Sequence, residues 1–270
     1  MVILPESSPD ARVREGALRD GPLDSAYTTA DVFLTSTARG AATEMSARRT
    51  TTRLLAAAVL LASAFALPAA TSNANAPADS TVHALFFGDS LMYGTGARPT
   101  RPVMARVVAR LLGWDITVDA VGGTGYTTGG QRGRPYLERL AKPGVLSTPY
   151  DVVLLEGGTN DKAADPATMR ARATETVAYV RSRLPTAKIV LMGAYNPPGK
   201  RYDARRVTID AILQTVAIEQ QLPYVSPISG QWTKGQGARF LCPDGLHPST
   251  YGYGVMGARL TTALRQAGVA

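Results

Sequence analysis

Residues 82–90 read VHALFFGDS, and this stretch decides the fold class. A short apolar run is typical of a strand covered on both faces, and the glycine after it marks the end of the strand. Two further runs have the same form: YDVVLL at residues 150–155 and AKIVLM at residues 187–192, each followed closely by glycine. The sequence therefore predicts a parallel sheet, with additional strands at residues 115–121 and 222–225.

Helical patterns alternate with these strands. Apolar residues recur at helical spacing in four segments, at residues 102–112, 167–184, 203–221 and about 249–266. Asp165 and Pro166 supply an N-cap and a first-turn proline for the second of these helices. Alternating strands and helices imply right-handed crossovers. We therefore expect residues 77–270 to form one α/β domain, a three-layer α/β/α sandwich with a parallel sheet of about five strands.

The loops that follow the strands are where chemistry is expected, because ligands bind outside the carboxyl ends of strands in such sheets. The first strand runs through Gly88 directly into Ser90, which places this serine at the rim. Gly157 and Gly158 follow a later strand and lead to Asn160. An amide donor near a developing oxyanion can contribute about 3 kcal/mol to catalysis. Each motif alone is equally compatible with an ordinary turn or helix cap.

A histidine in the last loop is the candidate base. Residues 244–248 read DGLHP, so Asp244 can fold back onto the imidazole of His247 and fix its tautomer. The chain has two histidines. His83 begins the first strand and lies roughly 23 Å from Ser90 at about 3.3 Å per residue, which leaves His247 as the base.

A glycine-rich loop follows the second strand. Residues 120–127 read AVGGTGYT, and the spacing of Gly123, Gly125 and Gly129 is similar to that of a dinucleotide phosphate loop. Residues 129–134 (GGQRGR), however, do not have the pattern of the helix that such a loop must open. A glycine-rich loop that binds an oxyanion explains the sequence better.

Together, and in this order, the four motifs resemble the blocks of the SGNH hydrolases, a family of GDSL-like lipases and esterases. The matching segments are Gly88–Ser90, Gly122–Thr127, Gly158–Asp161 and Asp244–His247, and the resemblance spans residues about 82–267. It implies a flavodoxin-like sandwich and a carboxylic ester hydrolase that uses a serine nucleophile. No metal or organic cofactor is implied.

The resemblance also assigns roles to residues. Ser90 is the nucleophile, His247 is the general base and then the acid, and Asp244 orients His247. The reaction is acyl transfer through an acyl-enzyme, with water as the final acceptor.

The oxyanion donors implied by the resemblance are the Ser90 N–H, the Gly125 N–H and the Asn160 amide. The family's glycine block often begins with asparagine, where this chain has Ala120. Gly123 therefore stays open as the alternative to Gly125.

The expected function is an esterase of short-chain acyl groups, acetylated carbohydrate or lipid, and the alternative functions differ in the residues that they need. An acyltransferase would use the same residues, with a sugar or envelope hydroxyl in place of water. A non-catalytic envelope-binding module would have no need to keep this set of residues intact. A metal-dependent phosphoesterase would need several histidine ligands, and the Gly-x-Ser-x-Gly elbow of α/β-hydrolases is absent around Ser90. Cys242 is read as an incidental thiol.

The N-terminal part reads as an export segment. Within residues 45–76, three arginines precede a 14-residue apolar run at residues 54–67, and ANA at residues 74–76 fits a cleavage site. The run is shorter than the roughly 20 residues that span a bilayer, so we expect secretion without stable membrane insertion. Residues 1–44 are either a disordered leader or a mis-called start, with Met45 as the true one.

The distribution of charge and the aromatic residues limit the kinds of partner that the chain is expected to bind. Residues 77–270 contain 22 Lys and Arg against 14 Asp and Glu, which accounts for the whole net charge of +8. The arginines are scattered singly, so we expect a solvated basic surface and no nucleic-acid partner. The expected partner is a small or polymer-borne ester, bound by a monomer. The aromatic residues that either line a substrate pocket or belong to the core are Tyr93, Tyr126, Tyr195, Tyr202 and Trp232.

Overall fold

A computed structural model gives the architecture of the chain and describes residues 12–13, 81–130, 133–199 and 202–270. The expected leader (residues 1–44) and export signal (residues 45–76) thus lie outside the described residues, except for residues 12–13. No helix in the described part of the chain is both long and apolar enough to cross a bilayer.

The strands form one six-stranded sheet. They are β1 (Arg12–Val13), β2 (His83–Gly88), β3 (Asp115–Ala120), β4 (Val152–Glu156), β5 (Lys188–Met192) and β6 (Tyr224–Val225). Their order is β1-β3-β2-β4-β5-β6. Strands β2 to β6 are parallel to their neighbours, as predicted, and β1 pairs antiparallel with β3. The five parallel strands follow the 2-1-3-4-5 order of flavodoxin-like folds. The short β1 was not predicted.

Six α-helices connect and cover the strands in the described part of the chain. They are α1 (Ser90–Tyr93), α2 (Val103–Leu112), α3 (Tyr136–Leu140), α4 (Pro166–Arg183), α5 (Ala204–Glu219) and α6 (Thr250–Gln266), with a 3₁₀ turn at Ala238–Phe240. The four long helices lie where their periodicity predicted them. Asp165 caps α4 by accepting the Thr168 N–H at 2.9 Å, and Pro166 occupies the first turn, as expected. Helices α1 and α3 are too short to show periodicity and were not predicted.

The central strands are buried on both faces, which makes the molecule three-layered. Alternate residues of one strand point to opposite faces. Phe86 joins the apolar cluster under α2 and α6, whereas its neighbour Phe87 joins the cluster under α4 and α5. Leu154 and Leu155 of β4 divide between the same two clusters. The uninterrupted apolar runs in the sequence therefore reflect two cores, one on each side of the sheet.

Arg139 of α3 ties the carboxyl ends of β2 and β3 to the glycine-rich loop. Its side chain is 4% exposed. It donates to the Gly88 carbonyl at 2.9 Å, to the Thr124 hydroxyl at 2.8 Å and to the Asp119 carboxylate at 2.6 Å. The guanidinium carbon also lies 4.2 Å from the centre of the Phe87 ring. A single buried cation thus fixes the edge of the sheet from which the site is built.

We expect Arg139→Ala to lower the free energy of unfolding by about 3–5 kcal/mol, because it removes one partner from a buried, hydrogen-bonded charge pair. Arg170→Ala is the matched control, since Arg170 forms an exposed ion pair with Glu219 and should cost at most about 1 kcal/mol. Denaturant unfolding of both variants measures the difference. Equal losses in the two variants would contradict this role of Arg139.

Candidate active site

Ser90 lies at the tip of a tight turn between β2 and α1. Asp89 caps α1, and its Oδ1 accepts the Leu91 N–H at 2.8 Å. Gly88 is required at the end of the strand, because a Cβ there would lie 2.4 Å from Glu156 Oε2 and 2.9 Å from Met92 Cβ. The Ser90 N–H, at the first position of the helix, has no acceptor among the described residues. It is therefore free to donate to a bound group.

The loop after the 3₁₀ turn brings His247 to Ser90. The Cys242 N–H donates to the His247 carbonyl at 2.9 Å, which closes the turn. Asp244 Oδ1 accepts the N–H groups of Leu246 and His247 at 2.7 and 2.9 Å. Asp244 Oδ2 lies 2.7 Å from His247 Nδ1, and His247 Nε2 lies 2.9 Å from Ser90 Oγ. The three predicted residues form one continuous hydrogen-bonded chain.

Electrostatics assign the protons in this chain. Partial burial opposes ionisation of Asp244, but hydrogen bonds from the His247 ring, the Cys242 thiol and two backbone N–H groups outweigh it and lower the pKa of Asp244. A carboxylate at Asp244 can only accept, so Nδ1 of His247 carries the ring proton. The lone pair of Nε2 then faces the Ser90 hydroxyl, which is the arrangement that a general base needs.

His83, excluded as a base from the sequence, lies at the opposite end of β2. Its Nδ1 is 3.0 Å from Asp115 Oδ2. His83 therefore lies at the amino end of the strands and His247 at the carboxyl end, and of the two only His247 contacts Ser90.

Asn160 stands beside the serine turn, as predicted. Its Nδ2 donates to Asp89 Oδ2 at 2.8 Å and to the Thr124 carbonyl at 2.9 Å. These two bonds fix the amide between the serine turn and the glycine-rich loop. Because both amide hydrogens have acceptors here, an oxyanion would have to share one of them.

Gly125 is the predicted site residue that the structure places differently. Its N–H donates to the Thr128 carbonyl at 2.8 Å, and a Cβ at this position would lie 2.3 Å from Asp161 Oδ2. The loop curls around Asp161, which accepts the N–H groups of Tyr126 and Thr127. The Gly125 N–H is therefore already bonded within its own loop, so, like the Asn160 amide, it would have to share its hydrogen with an oxyanion.

The geometry favours the alternative, Gly123. Its φ is +76°, in the region that glycine adopts without strain. Among the described residues, its N–H has no acceptor. The adjacent Gly122 lies next to the nucleophile, because a Cβ built there would be 3.7 Å from Ser90 Cβ. The unbonded N–H thus favours Gly123 over Gly125 as the candidate oxyanion donor.

The aromatic residues and the thiol divide between core and rim. Tyr126, Tyr195 and Trp232 are buried, whereas Tyr93 and Tyr202 are 39% and 61% exposed. Cys242 is half-buried in the loop that carries His247, and burial raises the pKa of its thiol.

The described residues contain no group of three or more His, Cys, Asp or Glu placed to hold a metal ion.

Sequence reasoning missed three charged residues around the site. Arg139 and Asp161 shape the glycine-rich loop, and Glu156 lies fully buried under the serine turn. The one signal in the sequence was a glutamate closing the apolar run of β4, since a charge at the end of a buried strand needs a partner.

A serine, a histidine and an aspartate linked in this way at the carboxyl ends of a parallel sheet are typical of hydrolases with an α/β fold. The chain belongs to the GDSL-like lipase/acylhydrolase family, whose model matches residues 86–255. It is an ester hydrolase. A search of curated protein sequences gave no match.

Solved structures share the fold at low sequence identity. A lipase/acylhydrolase from Enterococcus faecalis is 22% identical, with a TM-score of 0.55, and the match covers 69% of this chain and 96% of that one. A carbohydrate esterase family 2 enzyme with a carbohydrate-binding domain, from Corynascus thermopiles (Myceliophthora fergusii), is 19% identical, with a TM-score of 0.57 and coverage of 71% and 68%.

A family two carbohydrate esterase from Clostridium thermocellum, solved in complex with cellohexaose, is 22% identical with a TM-score of 0.54. The match covers 70% of this chain and 65% of that one, so this chain spans slightly less than two thirds of that enzyme. These likenesses show the three-layer fold.

We expect Asn160→Ala to lower kcat for a p-nitrophenyl ester by about 10²–10³ with little change in KM, since an oxyanion donor acts mainly in the transition state. The matched control is Gln220→Ala, which removes an amide at the far end of α5, where it bonds Arg181. Steady-state kinetics of the two variants, with thermal unfolding to verify folding, tests this. Unchanged kcat in Asn160→Ala would remove Asn160 from the oxyanion site.

Proposed function

We propose that the chain is an exported serine esterase that cleaves short-chain acyl esters, above all those carried by carbohydrate. The observation that carries the proposal is the chain of hydrogen bonds from Asp244 through His247 to Ser90, with distances of 2.7 and 2.9 Å. Membership of an ester hydrolase family gives the reaction class. The geometry supports the roles proposed for the individual residues.

The reaction proceeds in two acyl transfers. Ser90 Oγ forms a bond to the ester carbonyl carbon while its proton passes to His247 Nε2. The negative oxygen of the tetrahedral intermediate accepts from the Ser90 N–H, the Gly123 N–H and the Asn160 amide. The bond to the alcohol then breaks, and His247 gives its proton to the departing oxygen. Water repeats these steps on the acyl-enzyme and releases the acid.

The rim of the site supports a small or sugar-borne ester rather than bulk lipid. Two of the exposed large hydrophobic side chains in the described part of the chain follow the carboxyl ends of strands: Tyr93 at the end of α1, after β2, and Tyr202 in the loop between β5 and α5. Flat aromatic rings with a polar tip suit sugars, whereas a lipid surface calls for a larger apolar patch. Structures that share the fold include carbohydrate esterases, one of them solved with a cellulose-type oligosaccharide.

We expect the purified chain to hydrolyse p-nitrophenyl esters with an optimum at the short-chain end of a series from acetate to palmitate. Ser90→Ala and His247→Ala should each lower kcat by at least about 10³, because the triad acts as a unit. His83→Ala is the matched control for the histidine and should keep full activity. Full activity in Ser90→Ala would refute the serine mechanism, and product analysis with added sugar acceptors separates a hydrolase from an acyltransferase.

Export is proposed from the sequence of residues 45–76, which combine a basic start, an apolar run and a small-x-small site. The chain expressed with these residues in a bacterial host should appear outside the cytoplasm with a new N-terminus near residue 77. N-terminal sequencing of the exported protein measures this. Retention in the cytoplasm at full length would contradict it.

A further inference from the structure

Two carboxyl groups lie buried side by side directly beneath the nucleophile. Asp89 and Glu156 are both 0% exposed. Glu156 Oε2 accepts the Asp89 N–H at 3.2 Å, so this glutamate holds the peptide that precedes Ser90. The other oxygen, Oε1, is buried and has no hydrogen-bond partner. The proposed mechanism assigns no role to Glu156.

The surroundings of this pair hold too little positive charge for every acid to be ionised. Asp161 faces the pair from the loop after β4, and it accepts hydrogen bonds from two backbone N–H groups and the Thr127 hydroxyl. The cation facing the pair is Arg139 of α3, which also bonds Asp119. The remaining titratable groups nearby are phenols whose pKa values burial raises: Tyr126, Tyr136 and Tyr253.

Hydrogen-bond counts identify which acid holds a proton. Asp161 accepts three bonds, and Asp89 accepts two, from the Leu91 N–H and the Asn160 amide. Glu156 accepts the Asp89 N–H at the longest distance among these and the Met92 N–H more weakly, and its side chain shares a hydrogen bond with the Asp89 side chain. Two carboxyl groups can share a hydrogen bond only if one of them holds a proton. Donors stabilise the ionised form of a carboxyl, and a buried carboxylate oxygen without one is costly. The proton therefore belongs on Glu156.

The direction of the pKa shifts agrees with this assignment. Burial raises the pKa of Asp89, whereas the hydrogen bonds from the Leu91 N–H and the Glu156 side chain lower it. Burial and the neighbouring Asp89 carboxylate raise the pKa of Glu156 well above its ordinary value.

We propose that Glu156 is a positioning residue that stays protonated at neutral pH, so that Asp89 remains the carboxylate that holds the Asn160 amide and the serine turn. A second carboxylate at Glu156 would repel Asp89 and loosen its grip on Asn160. A neutral acid keeps the bond to the Asp89 N–H without that repulsion. The effect on catalysis rests on the proposed function, in which Asn160 stabilises the oxyanion.

The kinetic test compares two variants of similar size. Glu156→Gln keeps an oxygen for the Asp89 N–H and carries no charge, so we expect kcat within about threefold of wild type. Glu156→Leu removes the acceptor, and we expect kcat to fall by at least about tenfold with KM nearly unchanged. If Glu156→Gln is as impaired as Glu156→Leu, the glutamate acts as a carboxylate and the proposal is wrong.

The stability test does not depend on activity. A buried acid with a raised pKa destabilises the fold as pH rises above its unfolded pKa, because the folded state retains a proton that the unfolded chain releases. Glu156→Gln has no such proton, so its melting temperature relative to wild type should rise from about pH 5 to about pH 8. The exposed Glu138→Gln is the control and should show no such trend. A pH-independent difference for Glu156→Gln would overturn the proposal.

A spectroscopic measurement on the wild type covers the case in which a variant folds poorly. The infrared spectrum of the intact chain at neutral pH should contain the carbonyl band of a protonated carboxylic acid, separate from the carboxylate bands. Absence of that band would refute a protonated Glu156 even if the chain proves to be an active esterase. Presence of the band in the wild type and its loss in Glu156→Gln, without esterase activity in the wild type, would instead remove the proposed function and leave the protonation assignment standing.

Discussion

The parallel pairing of β2 with β4 is the constraint on which the site depends. Phe87 stands opposite Leu155 in this register, so the two strands end side by side. The chain then leaves both strands at the same edge, and the turn that carries Ser90 meets the loop that carries Asn160. The bond between Asp89 and Asn160 at 2.8 Å joins the two loops directly. A shift of the register by one residue would turn the apolar side chains to opposite faces and separate these loops.

Much of the fold could be predicted from the sequence because its strongest signals are periodic. Strands buried on both faces appear as unbroken apolar runs, and the long helices show apolar stripes. The candidate residues Ser90, Asp244 and His247 could also be named from the sequence, since each belongs to a short motif directly beside a recognisable strand or helix and these motifs resemble the blocks of a known family. What these patterns cannot contain is the pairing of groups far apart in the chain. The contact of Arg139 with Gly88 spans 51 residues, and no local pattern indicates it.

The choice between Gly125 and Gly123 shows why spacing alone misleads at a loop. Both glycines fit a motif, and the motif does not say which N–H is already bonded. That depends on Asp161, whose carboxylate gathers the N–H groups of Tyr126 and Thr127 and fills the space beside Gly125. The shape of the glycine-rich loop is thus decided by a side chain from a different loop. Tertiary hydrogen bonds determine which of several equivalent backbone groups remain free for a ligand.

Two acids of the site illustrate how one chain assigns opposite protonation states to similar groups. The side chain of Asp244 is 44% exposed and is held by several donors, so it remains a carboxylate beside His247. Glu156 is fully buried beside the Asp89 carboxyl group, and its Oε1 has no hydrogen-bond partner, so its neutral form is favoured. In the proposed mechanism, a charge at Asp244 stabilises the imidazolium that forms during acyl transfer, whereas a charge at Glu156 would lie close to Asp89. Negative charge is therefore kept where a positive charge develops and removed where it would repel the carboxylate that anchors Asn160.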